Sequence, residues 1–195
     1  MNLDDGDLWS RSLTGDGIAF GVLFDRHRDR VYRHAYRLAQ NRSDAEDTSA
    51  VAFLELWRQR ARVTLVQGSV LPWLLVTTTN CGLNLRRSTR RYDALLKRLP
   101  RTPHMEDPAD NPQGSFLDTV DAHLADALRE LKPVDLQLIT LVALEGYDIA
   151  AAATILRLAP GTAKTRLHRA RQRLRDQLPA PSPARPLTLS QEGQP

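Results

Sequence analysis

Apolar residues recur along the first half of the chain at steps of three and four, the pattern of one face of an α-helix. A break at residues 40–42 follows the first such stretch. Ser43 and Glu46 then make the S-x-x-E pattern of a capping box, which predicts the start of a second helix. The predicted inner face of the first helix is Phe20, Leu23, Phe24, His27, Val31, Ala35 and Leu38, and that of the second is Ala50, Phe53, Leu54 and Trp57.

A third helix is predicted after the break at Gly68 and Ser69. Pro72 suits its first turn, because the N–H that proline lacks needs no partner there. Residues 63–66 are β-prone, but nothing nearby alternates to pair with them, so an all-α first half is the simpler interpretation. The predicted inner face of the third helix is Leu71, Leu74, Leu75, Thr78 and Leu85.

The second half ends in a pattern typical of a helix-turn-helix. A helix restarted by Pro133 stops near Gly146, and a short helix covers residues 147–155. After a turn at 156–159, Pro160 opens a long helix. The apolar positions of this half are Leu117, Val120, Leu124, Leu128, Leu131, Leu136, Ile139, Val142, Ala143, Ala163, Leu167, Ala170, Leu174 and Leu178.

Proline divides these helices into two blocks. Four of the 12 prolines fall in residues 100–114 and five in residues 179–195, and neither stretch has apolar periodicity. The predicted fold is therefore all-α, with two small helical domains joined by a flexible linker, the second of them a helix-turn-helix. The predicted divisions are an acidic N-terminal segment at 1–15, a helical domain at 16–99, the linker at 100–114, a helix-turn-helix domain at 115–178 and a disordered tail at 179–195.

Composition excludes several classes of protein. The single cysteine, Cys81, rules out an internal disulfide and a multi-cysteine metal site, and it is typical of a reducing cytoplasm. No apolar run approaches the roughly 18 residues that span a membrane, and the acidic N-terminus lacks the order of a signal peptide. No nucleophile, base and acid stand together as an enzyme site. We therefore expect a cytoplasmic protein that inserts in no membrane, catalyses no reaction and binds no cofactor or metal.

Basic residues are concentrated in two clusters, although the net charge of the chain is only +4. The cluster at 86–101 contains one acid, and the cluster at 164–175 contains none, whereas a helix face that is merely solvated usually mixes both signs. Such stripes attract phosphates through charge and counterion release, which predicts nucleic-acid binding. The second cluster also lies on the second helix of the predicted helix-turn-helix, the helix that enters the major groove. The clusters are Arg86, Arg87, Arg90, Arg91, Lys97, Arg98 and Arg101, and Lys164, Arg166, Arg169, Arg171, Arg173 and Arg175.

Two sets of residues carry a resemblance to a known family. The first half contains D-A-E-D at 44–47, F-L-E-L-W at 53–57, W-L at 73–74, Asn80 and Asn84. The second half contains G-T-A-K-T-R-L-H-R-A-R at 161–171. In this order and spacing, they resemble the extracytoplasmic-function (ECF) sigma factors, the small two-domain specificity subunits of bacterial RNA polymerase.

The resemblance implies a division of labour between the domains. The first domain would bind the β′ clamp helices of core RNA polymerase and capture bases melted from the minus-10 promoter element. The second would read the minus-35 element as duplex DNA, close to the polymerase β flap, and an anti-sigma factor would hold the protein inactive. The residues implied for polymerase binding are Asp44, Glu46, Asp47 and Glu55. Those implied for the minus-10 element are Asn80, Asn84, Arg86, Arg87, Arg90 and Arg91. Those implied for the minus-35 element are Thr162, Lys164, Thr165, Arg166, His168, Arg169 and Arg171.

The chain departs from the family pattern at a few positions. Ala50 and Val51 stand where many members carry an acid. Arg157 replaces the glycine of the helix-turn-helix turn, and Ala159 replaces the serine that caps the second helix. Two alternatives stay open: an autonomous helix-turn-helix regulator, and a degenerate sigma-like protein that acts through a partner. In the free protein we expect the domains to move semi-independently, or to pack loosely and mask the basic helix at 164–175.

Overall fold

The structure is a computed structural model that describes residues 3–96, 123–124 and 126–177. The predicted linker and tail, with Leu117, Val120, Leu178 and the basic residues Lys97, Arg98 and Arg101, lie outside the described residues. Within the described ranges the secondary structure is helical, without a β-strand, which confirms the predicted all-α class. The β-prone run ends in an isolated antiparallel bridge between Val66 and Ser69.

Among the described residues, the first domain contains four α-helices and a short 3₁₀-helix at Arg60–Arg62, and the second domain contains three longer helices after a short helical stretch. The first four are α1 (Asp5–Leu13), α2 (Gly17–Ala39), α3 (Arg42–Arg58) and α4 (Leu71–Leu96). A short helical stretch at 126–130 precedes α5 (Pro133–Ile139), which continues as a π-helix over Thr140–Leu144. The helix-turn-helix is formed by α6 (Ile149–Leu156) and α7 (Pro160–Gln177).

Helix α1 is not predicted from the sequence, although it belongs to the core of the first domain. Asp4 caps it, since Oδ1 accepts a hydrogen bond from the Asp7 N–H at 2.8 Å. Leu8 and Trp9 are buried against the rest of the domain, and so is the carboxylate of Asp5. The acidic N-terminal segment therefore contains a packed helix.

Helix α3 corrects two sequence predictions. Its N-cap is Asn41, whose Oδ1 accepts from the Asp44 N–H at 3.1 Å, so the predicted capping box at Ser43 is wrong. Asparagine and serine are equally good caps, and the helix begins at the earlier one. The predicted apolar face is also wrong in part, because Ala50 and Leu54 are exposed. The buried face consists of Ala45, Thr48, Ala52, Phe53 and Leu56.

The helix-turn-helix forms as the sequence predicts. Gly146 has a positive φ of 76° where the preceding helix stops, and Asp148 caps α6 through a 2.7 Å hydrogen bond from the Ala151 N–H. Arg157 ends α6 in the left-handed conformation, with φ 54° and ψ 44°. The apolar stripe of α7 is buried as predicted, at Ala163, Leu167, Ala170 and Leu174.

The second domain packs against the first along α4. Helix α5 contacts α4 on one side and α7 on the other, and a single apolar core runs through both domains. The basic side of α7 nevertheless stays exposed. Of the two arrangements expected for the free protein, the one that masks the basic helix is therefore wrong, and semi-independent movement of the domains stays a prediction.

Candidate nucleic-acid interface

The outward side of α7 carries most of the residues predicted to read the minus-35 element. Lys164 and His168 are one turn apart, and so are Thr165 and Arg169, so each pair shares a face. Thr165 Oγ1 donates to the carbonyl of Gly161 at 3.0 Å, which fixes the rotamer of the hydroxyl and turns it towards the helix. The predicted residues of α7 that are exposed are Thr162, Lys164, Thr165, His168, Arg169 and Arg171.

Arg166 differs from the other predicted residues of α7. Its Nε lies 2.9 Å from Oδ1 of Asp135, a buried carboxylate at the start of α5, in an ion pair without hydrogen-bond geometry. Arg173, two turns further on, donates from Nη1 to Oδ2 of the same carboxylate at 3.4 Å. A buried carboxylate needs such partners to remain charged. Arg166 and Arg173 therefore hold α7 against α5.

The residues predicted to bind the minus-10 element form a stripe along α4. Asn80, Asn84, Arg87 and Arg91 are exposed. Their spacing of four, three and four residues places them on one face of the helix, over a length of ~16 Å. Arg86 is half-buried beside this stripe, and Arg90 lies in the same helix, with its side chain outside the described residues. The first amide of the stripe is engaged, because Gln137 Nε2 donates to Asn80 Oδ1 at 2.8 Å.

A shallow apolar cavity of ≈ 380 Å³ lies between α3 and α4, next to this stripe. Asp47 and Val51 line it from α3, and Cys81 and Asn84 line it from α4. Burial, with a smaller contribution from Glu55, raises the pKa of the Cys81 thiol. The thiol is therefore less reactive than a free one, as expected for a cysteine that packs.

The acids predicted to contact polymerase lie on α3 with different surroundings. Glu46 accepts from Arg42 Nε at 2.9 Å in an exposed pair, and Asp47 is exposed. Glu55 is half-buried and accepts from Gln59 Nε2 at 2.7 Å. Asp44 is half-buried in the first turn, where a negative charge favours the helix.

Apolar surface accompanies these acids, and the sequence analysis missed it. Val51 is 45% exposed and Leu54 is 53% exposed. Leu54 also lines a second shallow cavity, of ≈ 320 Å³, between α2 and α3, together with Phe20 and Trp57. Two of the four periodic apolar residues of α3, Ala50 and Leu54, thus lie outside its buried face, whereas Phe53 is part of it. The sequence pattern places Leu54 on the predicted inner face of the helix, whereas Val51 lies outside that predicted face.

Two negative findings concern only the part of the chain that the structure describes. No group of histidine, cysteine, aspartate and glutamate side chains there is arranged to hold a metal ion. None of the helices there combines the length and the apolar character needed to cross a membrane.

Two family models match the chain. The model of Sigma-70 region 2 matches residues 23–92, and the model of Sigma-70 region 4 matches residues 122–174. The first match takes in α3, the stripe on α4 and most of α2. The second takes in the helix-turn-helix, with all of the exposed residues of α7 named above.

Curated relatives are similar over most of the chain. The ECF RNA polymerase sigma factor SigE of Mycolicibacterium smegmatis is 37% identical over 171 residues, which are 85% of this chain and 65% of SigE. The RNA polymerase sigma factor CarQ of Myxococcus xanthus is 32% identical over 170 residues, which are 86% of this chain and 94% of CarQ. The chain thus spans slightly less than two thirds of SigE and nearly all of CarQ.

Solved structures share the fold. CnrH, in complex with the cytosolic domain of CnrY, matches with a TM-score of 0.63 at 21% identity, over 88% of this chain and 95% of that one. The sigma factor RpoE of Bartonella quintana, in complex with the anti-sigma factor NepR, matches with a TM-score of 0.56 at 21% identity, over 81% and 95%. At this identity, the likeness is one of fold.

Proposed function

The chain belongs to the ECF family of RNA polymerase sigma factors, and from this premise we propose that it directs core RNA polymerase to specific promoters and assists their melting. The observation that carries the proposal is that the chain has two separate exposed surfaces, one suited to duplex DNA and one suited to single-stranded DNA. One is the exposed basic side of α7, and the other is the stripe of amides and arginines on α4. The proposed domains are those of the sequence analysis, with α1 packed against the first.

The second domain is proposed to read duplex DNA at the minus-35 element. Arg169 can fork onto O6 and N7 of guanine, and the methyl group of Thr165 can meet a thymine methyl. Lys164 and His168 occupy the adjacent face. Thr162, in the first turn of α7, can offer its hydroxyl and backbone N–H to a phosphate, and Arg171 can bind a second phosphate.

The first domain is proposed to bind the melted strand of the minus-10 element. An asparagine amide presents both a donor and an acceptor, which suits the edge of an unpaired base. Asn80 and Asn84 are exposed one turn apart on α4. Arg86, Arg87, Arg90 and Arg91 follow them along the same helix and would hold the backbone of the strand.

Helix α3 is proposed to contact the β′ clamp helices of polymerase. Asp44, Glu46, Asp47 and Glu55 supply negative charge there. The exposed apolar side chains of α3 would also become buried on binding, and the centre of a stable interface needs such apolar contact. The departure from the family pattern at Ala50 and Val51 then replaces polar contacts with apolar ones.

Three further elements complete the proposal. The second domain would lie near the β flap, since it binds DNA upstream of the first domain. Because CnrH and RpoE were solved with CnrY and NepR, a comparable anti-sigma partner is proposed for this chain. Nucleotide chemistry belongs to the polymerase, so the chain itself is proposed to be no enzyme, and its place is the cytoplasm where polymerase acts.

Transcription from genomic fragments tests the proposal. Purified chain is added to core polymerase, and the 5′ ends of the transcripts are sequenced. We expect transcription start sites that appear only when the chain is added. Asn80→Ala should lower the amount of transcript from these sites. A complete lack of such start sites contradicts the proposal. A shift of duplex DNA by a dimer of the chain without polymerase favours an autonomous regulator instead.

A further inference from the structure

Helix α7 carries two pairs of basic residues along opposite sides. Lys164 and Arg171 are seven residues apart, and so are Arg166 and Arg173. Seven residues make almost two full turns, so each pair follows one line of the helix over a length of ~10.5 Å. The two pairs are offset by two residues, about 200° of rotation, so they lie on opposite flanks, with the proposed base-reading residue Arg169 between them. We call these pairs the Lys164 flank and the Arg166 flank.

A single carboxylate binds both arginines of the Arg166 flank. Asp135, in the first turn of α5, is buried, and its Oδ1 lies 2.9 Å from Arg166 Nε. Its Oδ2 accepts a hydrogen bond from Arg173 Nη1 at 3.4 Å. The side chains of Arg166 and Arg173 are 35% and 51% exposed, so both would be accessible to DNA if Asp135 released them.

The carboxylate of Asp135 depends on these two arginines. Its Oδ1 is buried and accepts no hydrogen bond from the described residues. A buried charge that lacks hydrogen bonds is unfavourable unless opposite charges compensate it. Among the described residues, the guanidinium groups of Arg166 and Arg173 are the cations that pair with it. Both arginines are therefore held more strongly than in an ordinary surface pair, although their side chains reach the surface.

The Lys164 flank differs, because its cations are available to phosphates. Lys164 and Arg171 are exposed, and neither forms a salt bridge with an acid in the part of the chain that the structure describes. An α-helix that lies in the major groove has a phosphate backbone on each side. Helix α7 therefore offers positive charge to the DNA backbone on one flank, while Asp135 withholds it on the other.

We propose that Asp135 is a positioning residue for minus-35 recognition: it keeps the Arg166 flank from the phosphates and fixes the rotation of α7 that presents Arg169 to the bases. This rests on the proposed reading of duplex DNA by α7. Two contacts ~10.5 Å apart on one line of the helix resist its rotation, and a forked contact of Arg169 with guanine needs a fixed geometry. Phosphate contacts carry no sequence information, so withholding two cations lowers the sequence-independent part of the affinity.

Two matched pairs of variants test the proposal. Asp135→Asn removes the charge with little change of shape and frees both arginines. Its control is Asp176→Asn, which changes the net charge equally and lies on α7, where the exposed Asp176 accepts from Gln172 Nε2 at 3.1 Å rather than from a basic residue. The second pair is Arg173→Gln and Arg171→Gln, which remove one cation from opposite flanks. Circular dichroism checks that each variant folds.

Fluorescence anisotropy on the full chain gives affinities at several salt concentrations for the duplex that the wild type selects from a random pool and for its scrambled version. Asp135→Asn should steepen the slope of log affinity against log salt by up to ~2 relative to Asp176→Asn, because each freed arginine adds about 0.9. It should also lower the ratio of the two affinities roughly threefold to tenfold. Arg173→Gln should leave the slope unchanged and lower the ratio about twofold, whereas Arg171→Gln should make the slope shallower by about 0.9.

The proposal is overturned if Asp135→Asn matches Asp176→Asn in slope, or if its slope steepens without a fall in the affinity ratio. If Asp135→Asn does not fold, the second pair decides: equal changes of slope in Arg173→Gln and Arg171→Gln, or an unchanged ratio in Arg173→Gln, overturn it. Failure of the wild type to select any duplex contradicts the proposed minus-35 reading itself. Selection by the wild type without a difference between the two Asn variants contradicts only the role of Asp135.

Discussion

The buried carboxylate of Asp5 offers a direct test of how the N-terminal helix is held. Its Oδ1 accepts from Arg26 Nη1 at 2.7 Å, and its Oδ2 accepts from His27 Nε2 at 2.7 Å and from Ser69 Oγ at 2.6 Å. Burial alone would raise the pKa of Asp5. The hydrogen bonds from His27, Ser69 and Arg26 outweigh burial and hold this pKa well below its usual range.

Asp5→Ala is expected to lower the free energy of unfolding by about 3 kcal/mol at pH 7, because it removes one partner of a buried, hydrogen-bonded charge network. Arg26 remains partly in water and regains hydration, which keeps the loss at the lower end of the range for such networks. The control is Asp7→Ala on the same helix, an exposed acid that favours the first turn by under about 1 kcal/mol.

The pH dependence of this loss has a definite sign. A carboxylate with a lowered pKa in the folded state stabilises the fold above its unfolded pKa, and this stability is lost as the pH falls towards the folded pKa. With an unfolded pKa near 3.9, the difference between wild type and Asp5→Ala should narrow by ~0.7 kcal/mol between pH 7 and pH 3.5.

Urea unfolding, followed by circular dichroism at both pH values, provides the measurement. Groups that titrate alike in both proteins, such as the acids and histidines that do not contact Asp5, cancel in the difference. A loss for Asp5→Ala no larger than that for Asp7→Ala would refute the role assigned to the network. A difference that widens as the pH falls would refute the sign of the pKa shift.

Three further predictions concern other parts of the fold. Burial lowers the pKa of His34 to about 3, with a smaller effect of Arg37. The free energy of unfolding should therefore fall by up to ~1.4 kcal/mol per pH unit as the pH drops below 6.5. In urea titrations, His34→Gln should make this pH dependence less steep. Arg157→Gly should raise the free energy of unfolding by ~0.5–1 kcal/mol, since glycine accepts the left-handed conformation without strain; a decrease would contradict this account. Arg169→Ala should weaken binding to the preferred minus-35 duplex by ~1–3 kcal/mol, and binding to a scrambled duplex by less. Equal losses on both duplexes would contradict the proposed reading role of Arg169. Arg173→Ala, in contrast, should mainly lower the free energy of unfolding.

Hydrophobic periodicity was sufficient to predict a helix and its buried face where the helix buries one continuous apolar stripe. Helix α2 buries Leu23, Val31 and Leu38 as predicted, and α7 buries its stripe of alanines and leucines. The turn between α6 and α7 was also predictable, because Pro160 fixes where α7 begins. These elements depend on local sequence, so local sequence predicts them.

The prediction failed where distant or polar partners decide the structure. Helix α1 is anchored by Asp5, and a buried aspartate looks like an exposed one until its partners at positions 26, 27 and 69 are known. In α3 the predicted apolar stripe is only partly buried, since Phe53 lies in the core whereas Ala50 and Leu54 are exposed. Hydrophobic periodicity cannot tell a core from an exposed apolar surface.

The basic residues of α7 show that distant partners also affect a functional prediction made from local sequence. The sequence presents six basic residues between 164 and 175 as one cluster. Two of the six, Arg166 and Arg173, face Asp135, which lies 31 residues before the first of them and is the only acid that binds them among the described residues. Their charge stabilises a buried carboxylate and orients the helix. Because each neutralised phosphate contributes about −0.9 to the slope of log affinity against log salt, the basic surface of α7 should give a shallower slope than its sequence implies, by up to ~2.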